Sequence, residues 1–354
     1  MNIFNVLLLL IFMIAMVCRA QINDSNNMLS IKRNDIYMRV IAIPLIAIAG
    51  LRSVEIGLDT YQYYSVFTEL QYVKFDNLFH YNRWEEGYMM LNWLLRDTSF
   101  VILQVVTTTI LIVAMLFIAK RYSPYIWLTC LLFVINSVYY RCFNEMRQTV
   151  SMGILCFAFI SIIDKKIWRF IILTIIASFF HRTCLIFLPT ILLIYVDEIK
   201  PRYFLILIAL LVFTSLYSHV LIQYSLSLVS SEYVTMEDET GGWGFFILNA
   251  ITIGFIFLNR ESLLQDRVNI VLTYFLFINL ILFPICHLNP VFFRLSSYFG
   301  MFSILLIPRI YFYANHKILS AVFVIGYCLL QFYFNYLSMY SERNLLLPYK
   351  FFWE

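Results

Sequence analysis

Apolar runs close to the length of a bilayer crossing recur along the whole chain, and no other feature constrains its fold as much. They fall at roughly 3–18, 39–52, 99–119, 125–141, 148–163, 167–181, 183–196, 203–222, 244–258, 268–286, 295–313 and 318–337. A straight span needs about 20 apolar residues, so the shorter runs imply ends that reach past the strictly apolar stretch. In hydrocarbon the backbone must satisfy its own hydrogen bonds, which leaves helices or a closed barrel. Barrel strands alternate polar and apolar residues, and these runs do not. Composition agrees: 62% of residues are hydrophobic and 13% charged, against about 45–50% and 25% in a soluble domain. The expectation is an all-α polytopic transmembrane bundle of about 10–12 spans. It forms a single integral membrane domain over 1–354, with outer loops at about 53–98 and 223–243. The second loop holds the acidic cluster Glu237, Asp238, Glu239, read as solvated.

The net charge of +4 gives no reason to expect nucleic acid as a partner. The seven cysteines are scattered and show no CxxC pair, so neither a metal site nor a disulfide framework is expected. The first run has small residues, Cys18 and Ala20, near a conceivable signal cleavage point. It lacks the basic segment that signal peptides carry, and is read as a span.

Orientation follows from Lys and Arg in alternate connections. One set holds Arg19, Lys32, Arg33, Arg39, Lys120, Arg121, Lys165, Lys166, Arg169, Lys200, Arg202, Arg260, Arg267, Arg309 and Lys317. The other holds Arg52, Lys74, Arg83, Arg96, Arg141, Arg147, Arg182, Arg294, Arg343 and Lys350. The richer set is assigned to the cytoplasm. The arginines of the poorer, outer set then need a reason to be there.

Around them lies a polar constellation. Arg52 closes the second run and leads to Glu55, Gly57, Asp59, Tyr61, Tyr63 and Tyr64; if this stretch is helical, Arg52, Glu55 and Asp59 share a face. Then come Trp84-Glu85-Glu86-Gly87-Tyr88, Asn144-Glu145-Met146-Arg147-Gln148, His181-Arg182, and Arg294 with Tyr298. Ionisable groups at a membrane edge are costly, and several on one face suggest a shared cavity. Blander readings stand beside this one. An arginine at a helix end also snorkels to headgroups, a lone histidine is often a packing residue, and tyrosines and tryptophans form interfacial belts.

In order and spacing these motifs resemble the EpsG/Wzy group of bacterial polysaccharide polymerases. They are Gly50-Leu51-Arg52, Gly57-Leu58-Asp59, Glu85-x-Gly87-Tyr88, Asn144-x-x-Arg147-Gln148, Phe180-His181-Arg182-Thr183, Phe293-Arg294-Leu295 with Tyr298, and the closing Leu347-Pro348-Tyr349. The residue after Glu85 departs from the pattern: the family often has Pro where this chain has Glu86, which leaves open which carboxylate is functional. The resemblance implies a glycosyltransferase that joins undecaprenyl-pyrophosphate-linked oligosaccharides, donor and acceptor both, at the outer, periplasmic face of the cytoplasmic (inner) membrane. Membrane lipid and a chain-length regulator protein are the implied partners.

The chemistry has its own requirements. A sugar leaving from pyrophosphate needs cations on the departing oxygens, and the planar fork of arginine binds phosphate bidentately. Arg147 and Arg294 are assigned that role, with Arg52 as a third candidate; Gln148, Tyr64 and Tyr298 complete the expected substrate contacts. The acceptor hydroxyl needs a base, for which Asp59, Glu85 and His181 compete. Free histidine titrates near about pH 6.5, whereas arginines nearby lower a carboxyl, so His181 is favoured. No Asp-x-Asp pair or histidine-rich spacing occurs, so no metal or other cofactor is expected. Two rivals remain: a flippase or transporter for the same lipid-linked sugar, although transporters often show two similar halves, and a membrane O-acyltransferase centred on His181.

Overall fold

The computed structural model describes all residues except 1, 21, 25, 81–83, 228–242, 289–291 and 340–344. Arg83, Arg343 and the cluster Glu237–Glu239 of the second expected loop lie outside the described residues. Those described form helices and no strand, as the apolar runs require. Their contacts gather into two compact units, Met1–Ile191 with Cys328–Glu354, and Leu192–Tyr327.

The first unit contains α1 (Ile3–Val17), α2 (Met28–Gly50), α3 (Thr60–Leu70), α4 (Glu86–Leu95), α5 (Phe100–Tyr122), α6 (Ile126–Ile135), α7 (Arg141–Asn144), α8 (Met146–Ile163) and α9 (Ile167–Ser178). A 3-10 segment, Arg182–Tyr195, follows. The second unit holds α10 (Pro201–Ser227), α11 (Trp243–Leu258), α12 (Arg260–Leu263), α13 (Arg267–Leu288), α14 (Phe293–Gly300) and α15 (Ser303–Tyr313). Helix α16 (Lys317–Met339) begins in the second unit and ends in the first.

Among the described residues, six helical stretches are long and apolar enough to cross a membrane: Phe100–Tyr122, Met146–Ile163, Leu205–Tyr224, Arg267–Leu288, Phe293–Tyr313 and Lys317–Leu337. The described residues also hold five shorter apolar helices. Leu205, Ile208, Leu216 and Val220 of α10, and Ile325 and Leu329 of α16, are exposed. Apolar faces on this scale need lipid against them, and the chain is a multi-pass membrane protein. The second run extends further than its apolar core suggests, because Lys32, Arg33, Asp35 and Arg39 interrupt the pattern without interrupting the helix.

Within the first unit, one end of the helix bundle carries the C-terminal ends of α2 and α9 and the starts of α5 and α8. At the other end Lys120 pairs with Asp35 at 2.7 Å and Arg121 with Asp164 at 2.8 Å, tying the start of α2 and the close of α8 to the close of α5. The segment expected as a hydrophilic connection, 53–98, is itself folded. Tyr63, Val66, Phe67 and Leu70 recur at helical spacing along α3 and are buried. They pack with Tyr88 and Met89 of α4, and with Phe100, Leu103 and Met146 at the starts of α5 and α8. This small α3–α4 cap sits on the bundle end and carries the site.

The stretch after α2 is not a helix, so Arg52, Glu55 and Asp59 do not share a helical face. Arg52 is wholly buried, whereas Glu55 is exposed and pairs with Lys350 at 2.6 Å. The C-terminal residues run alongside: Ser53 N donates to Lys350 O at 3.0 Å, Phe352 N to Leu51 O at 2.9 Å, and Gly57 N to Leu345 O at 3.1 Å. Gly57 has φ +96°, and a Cβ there would meet Phe143 O at 2.2 Å, so glycine alone fits this turn.

In the second unit several polar groups brace the helices and the segment before α10. Arg309 donates to Asp266 at 2.5 Å, and to Asn269; Tyr313 donates to the same Asp266 carboxylate at 2.9 Å. Arg267 donates to the carbonyls of Leu193, Ile194 and Val196.

Candidate functional site

Glu85 occupies the N-cap of α4 with extended backbone (φ −62°, ψ 144°), which frees its side chain from the helix. The carboxylate is buried and shared between three donors. Arg147, on the first turn of α8, donates from Nη1 to Oε2 at 2.7 Å. His181, just beyond α9, places Nδ1 3.1 Å from Oε1, and the backbone N–H of Arg182 donates to the same oxygen at 3.0 Å. An ionised carboxylate only accepts, so the proton of a neutral His181 ring sits on Nδ1. Nε2 is then the atom with a lone pair to offer.

The next residue of each strand of chain repeats the pairing further out. Glu86 accepts from the Arg182 guanidinium at 3.0 Å, with both side chains largely exposed. The two acidic neighbours therefore meet the two basic neighbours His181 and Arg182 as doublets. This resolves the geometry of the Glu85–Glu86 ambiguity: Glu85 is the inner carboxylate and Glu86 the outer one.

Burial pushes the Glu85 carboxyl up. The hydrogen bond to His181, the charges of Arg147 and His181, and the Arg182 N–H outweigh it and hold the group at about 2, below its usual 4.5. Near neutral pH Glu85 is therefore an anion that holds its basic neighbours in place. Arg147 is fixed on its other sides as well. Its guanidinium lies over the Trp84 ring, 5.1 Å from the centroid, and it also donates to the Tyr63 hydroxyl. Tyr63, Trp84 and Tyr88 pack together with centroid separations of 5.0–5.8 Å and wall this side of the site.

The close approach of α4 to the end of α9 depends on Gly87. Its N–H donates to Phe179 O at 2.8 Å, and a Cβ would lie 2.9 Å from both Phe179 O and Phe179 Cβ. Gly87→Ala is expected to push the start of α4 off α9 and open the Glu85–His181 contact. The variant should lose about 1–3 kcal/mol of stability, the cost of forcing atoms into a packed contact. Equilibrium unfolding of the purified variant checks this.

The other expected site residues are placed as follows. Gln148, next to Arg147, is buried on α8. Asp59 takes the N-cap position of α3, half-buried. Tyr64 is exposed on α3, edge-on to Phe100 at 5.4 Å. Arg52 turns its guanidinium into the protein, onto Ala49 O and onto Phe143 O at 3.3 Å, with its charge over the Phe143 ring. Arg294 and Tyr298 stand on α14 of the second unit, the first half-buried and the second buried. The structure thus joins Glu85, Arg147 and His181 directly. It adds Arg182, Tyr63 and Trp84: Trp84 and Arg182 adjoin Glu85 and His181 in the sequence motifs, whereas Tyr63 has no such adjacency. Among the described residues no His, Cys, Asp and Glu side chains cluster as metal ligands.

No curated protein and no solved structure matches the chain. The EpsG family does, over residues 35–351. That match takes in every residue of the Glu85–Arg147–His181 cluster and nearly the whole bundle that carries it, and the chain belongs to the EpsG family.

Proposed function

We propose that the chain is a glycosyltransferase that joins undecaprenyl-pyrophosphate-linked oligosaccharide repeat units at the outer face of the cytoplasmic membrane. Its EpsG membership supports a polysaccharide polymerase-like activity in general. The observation that carries the specific reading is the buried Glu85 carboxylate bridging Arg147 and His181. It sits at the end of the helix bundle that the Lys and Arg bias assigns to the outside.

The chemistry follows from these groups. His181 Nε2 takes the proton from an acceptor sugar hydroxyl as its oxygen attacks the anomeric carbon of the donor. The bond from that carbon to the pyrophosphate oxygen breaks, and undecaprenyl pyrophosphate departs with the electron pair. Arg147 offsets the charge gathering on the departing oxygens. Glu85 fixes both Arg147 and His181, so little reorganisation is needed during the step. Arg294 and Arg52 remain candidates for further phosphate contact; Arg52, spoken for by two carbonyls, is better placed as a brace. The charge is supplied by arginine, so a metal is not needed.

Deleting the gene in its native host and resolving the surface polysaccharide by gel tests this function. Loss of long chains with single repeat units retained supports it. Loss of all units indicates a flippase, and unchanged lengths with acyl groups missing indicates an acyltransferase. A reporter inserted within 60–70 should be active only beyond the membrane; cytoplasmic activity there overturns the orientation. Arg147→Lys keeps the charge and loses the fork and the stacking on Trp84, so turnover should fall by about 10²-fold. A full chain-length distribution from that variant would reduce Arg147 to an anchor.

A further inference from the structure

Two polar side chains on α5 are sealed inside the first unit without partners. Gln104 is wholly buried, and neither its carbonyl oxygen nor its amide nitrogen is hydrogen-bonded. The Thr108 hydroxyl, one turn along, is equally buried and equally unbonded. Its neighbour Thr107 shows the usual solution for a hydroxyl in an apolar helix: it donates back to Leu103 O at 2.9 Å. Thr108 does not. A membrane span offers no bulk water to make up the loss, so three unanswered polar atoms are costly there.

Their position follows from register. Gln104, Thr108, Leu111, Met115 and Tyr122 recur at helical spacing and form one stripe of α5. The far part of the stripe touches α8: Met115 Sδ lies 4.0 Å from Cys156 Sγ, and the Tyr122 and Phe159 rings are 5.4 Å apart. The two helices run in the same direction, and Leu103 and Met146 share one apolar cluster. Gln104 therefore lies between α5 and α8, level with the first turn of α8, which carries Arg147 and Gln148.

We propose that Gln104 and Thr108 form a buried hydroxyl-binding site between α5 and α8, filled by water or by a hydroxyl of the sugar substrate. A hydroxyl both donates and accepts, so it can answer the amide carbonyl, the amide nitrogen and the threonine together. An anion only accepts and leaves the Gln104 carbonyl unanswered; a metal cation leaves the amide nitrogen unanswered; an apolar ligand leaves all three. Water is the commonest such occupant in protein interiors. The sugar arm rests on the polymerase reading, and the water arm does not.

The variants Gln104→Met and Thr108→Val conserve volume and remove the hydrogen-bonding atoms. Radiolytic hydroxyl-radical labelling of the purified chain in nanodiscs reports water trapped beside buried side chains. Labelling of the 103–111 peptide in the native chain that disappears in both variants identifies water. No labelling, with KM for the lipid-linked repeat unit raised about tenfold and kcat retained in both variants, identifies the sugar hydroxyl. An unchanged KM with labelling absent from the native chain, or persisting in both variants, overturns the site. Thr108→Val keeps the side-chain shape, so the test survives if Gln104→Met fails to fold. If the native chain has no polymerase activity, the labelling alone decides.

Discussion

Glu85→Gln is expected to remove polymerising activity by about 10²–10⁴-fold, the range over which a misdirected acid–base group loses its effect. The amide keeps the shape but carries no charge. Arg147 then keeps a buried guanidinium without its counter-ion, and the His181 ring loses the acceptor that fixes its proton on Nδ1. Breaking a buried ion pair from one side costs about 3 kcal/mol of stability or more. The pH dependence has a definite sign. The folded Glu85 carboxyl is held at about 2, below its usual 4.5, so its contribution is fully present above about 4.5 and is lost as the pH falls through about 2. Unfolding midpoints measured from neutrality into that acid window should therefore fall more steeply for the native chain than for Glu85→Gln, with the two curves converging at the acid end. Parallel curves would mean that the Glu85 carboxyl is not held low by its partners. Full activity in Glu85→Gln would remove the cluster from the mechanism altogether.

The helices were largely legible because burial in lipid leaves a crude mark, a long apolar run, that needs no partner to interpret. The exceptions are instructive. In α2 the charges near its start hid ten residues or so of helix, because a hydropathy reading scores charge and not backbone geometry. On sequence alone the α3–α4 cap reads as a connection. Its buried face is built of Thr60, Tyr63, Val66, Phe67 and Leu70, and threonine and tyrosine count as polar although here they are core. The stretch after α9 carried an apolar run but is a 3-10 segment around Pro189, a difference that residue content alone does not reveal. At the site, the individual residues were visible as charges in places where charge is expensive. Their pairing was not: 62 residues separate Glu85 from Arg147, and 96 separate Glu85 from His181. The one local hint was reciprocal, an acid–acid neighbour pair and a base–base neighbour pair, and only the packing of Gly87 on Phe179 shows that they meet.

His181→Ala is expected to abolish turnover while leaving the protein folded and donor binding largely intact. Three groups compete for the role of base on sequence grounds, and the hydrogen bonding of the cluster favours His181. Glu85 is held ionised by His181, Arg147 and the Arg182 N–H, and each of these lowers its appetite for a proton. Asp59 stands at the start of α3 and makes no cap bond with its side chain. His181 has its Nδ1 occupied by Glu85 and so presents Nε2 in a fixed direction, the arrangement in which a carboxylate orients an imidazole for proton transfer. Removing the ring deletes the proton acceptor and leaves Glu85 paired with Arg147, so stability should change much less than in Glu85→Gln. The measurement is single-turnover polymerisation with purified lipid-linked repeat units, alongside equilibrium binding of the donor. Loss of about 10²–10⁴-fold in turnover with donor affinity retained fits a base that acts on the acceptor hydroxyl. If His181→Ala polymerises normally while Asp59→Asn does not, the base is the carboxylate on α3, and the Glu85–His181 pair serves only to hold Arg147 in place.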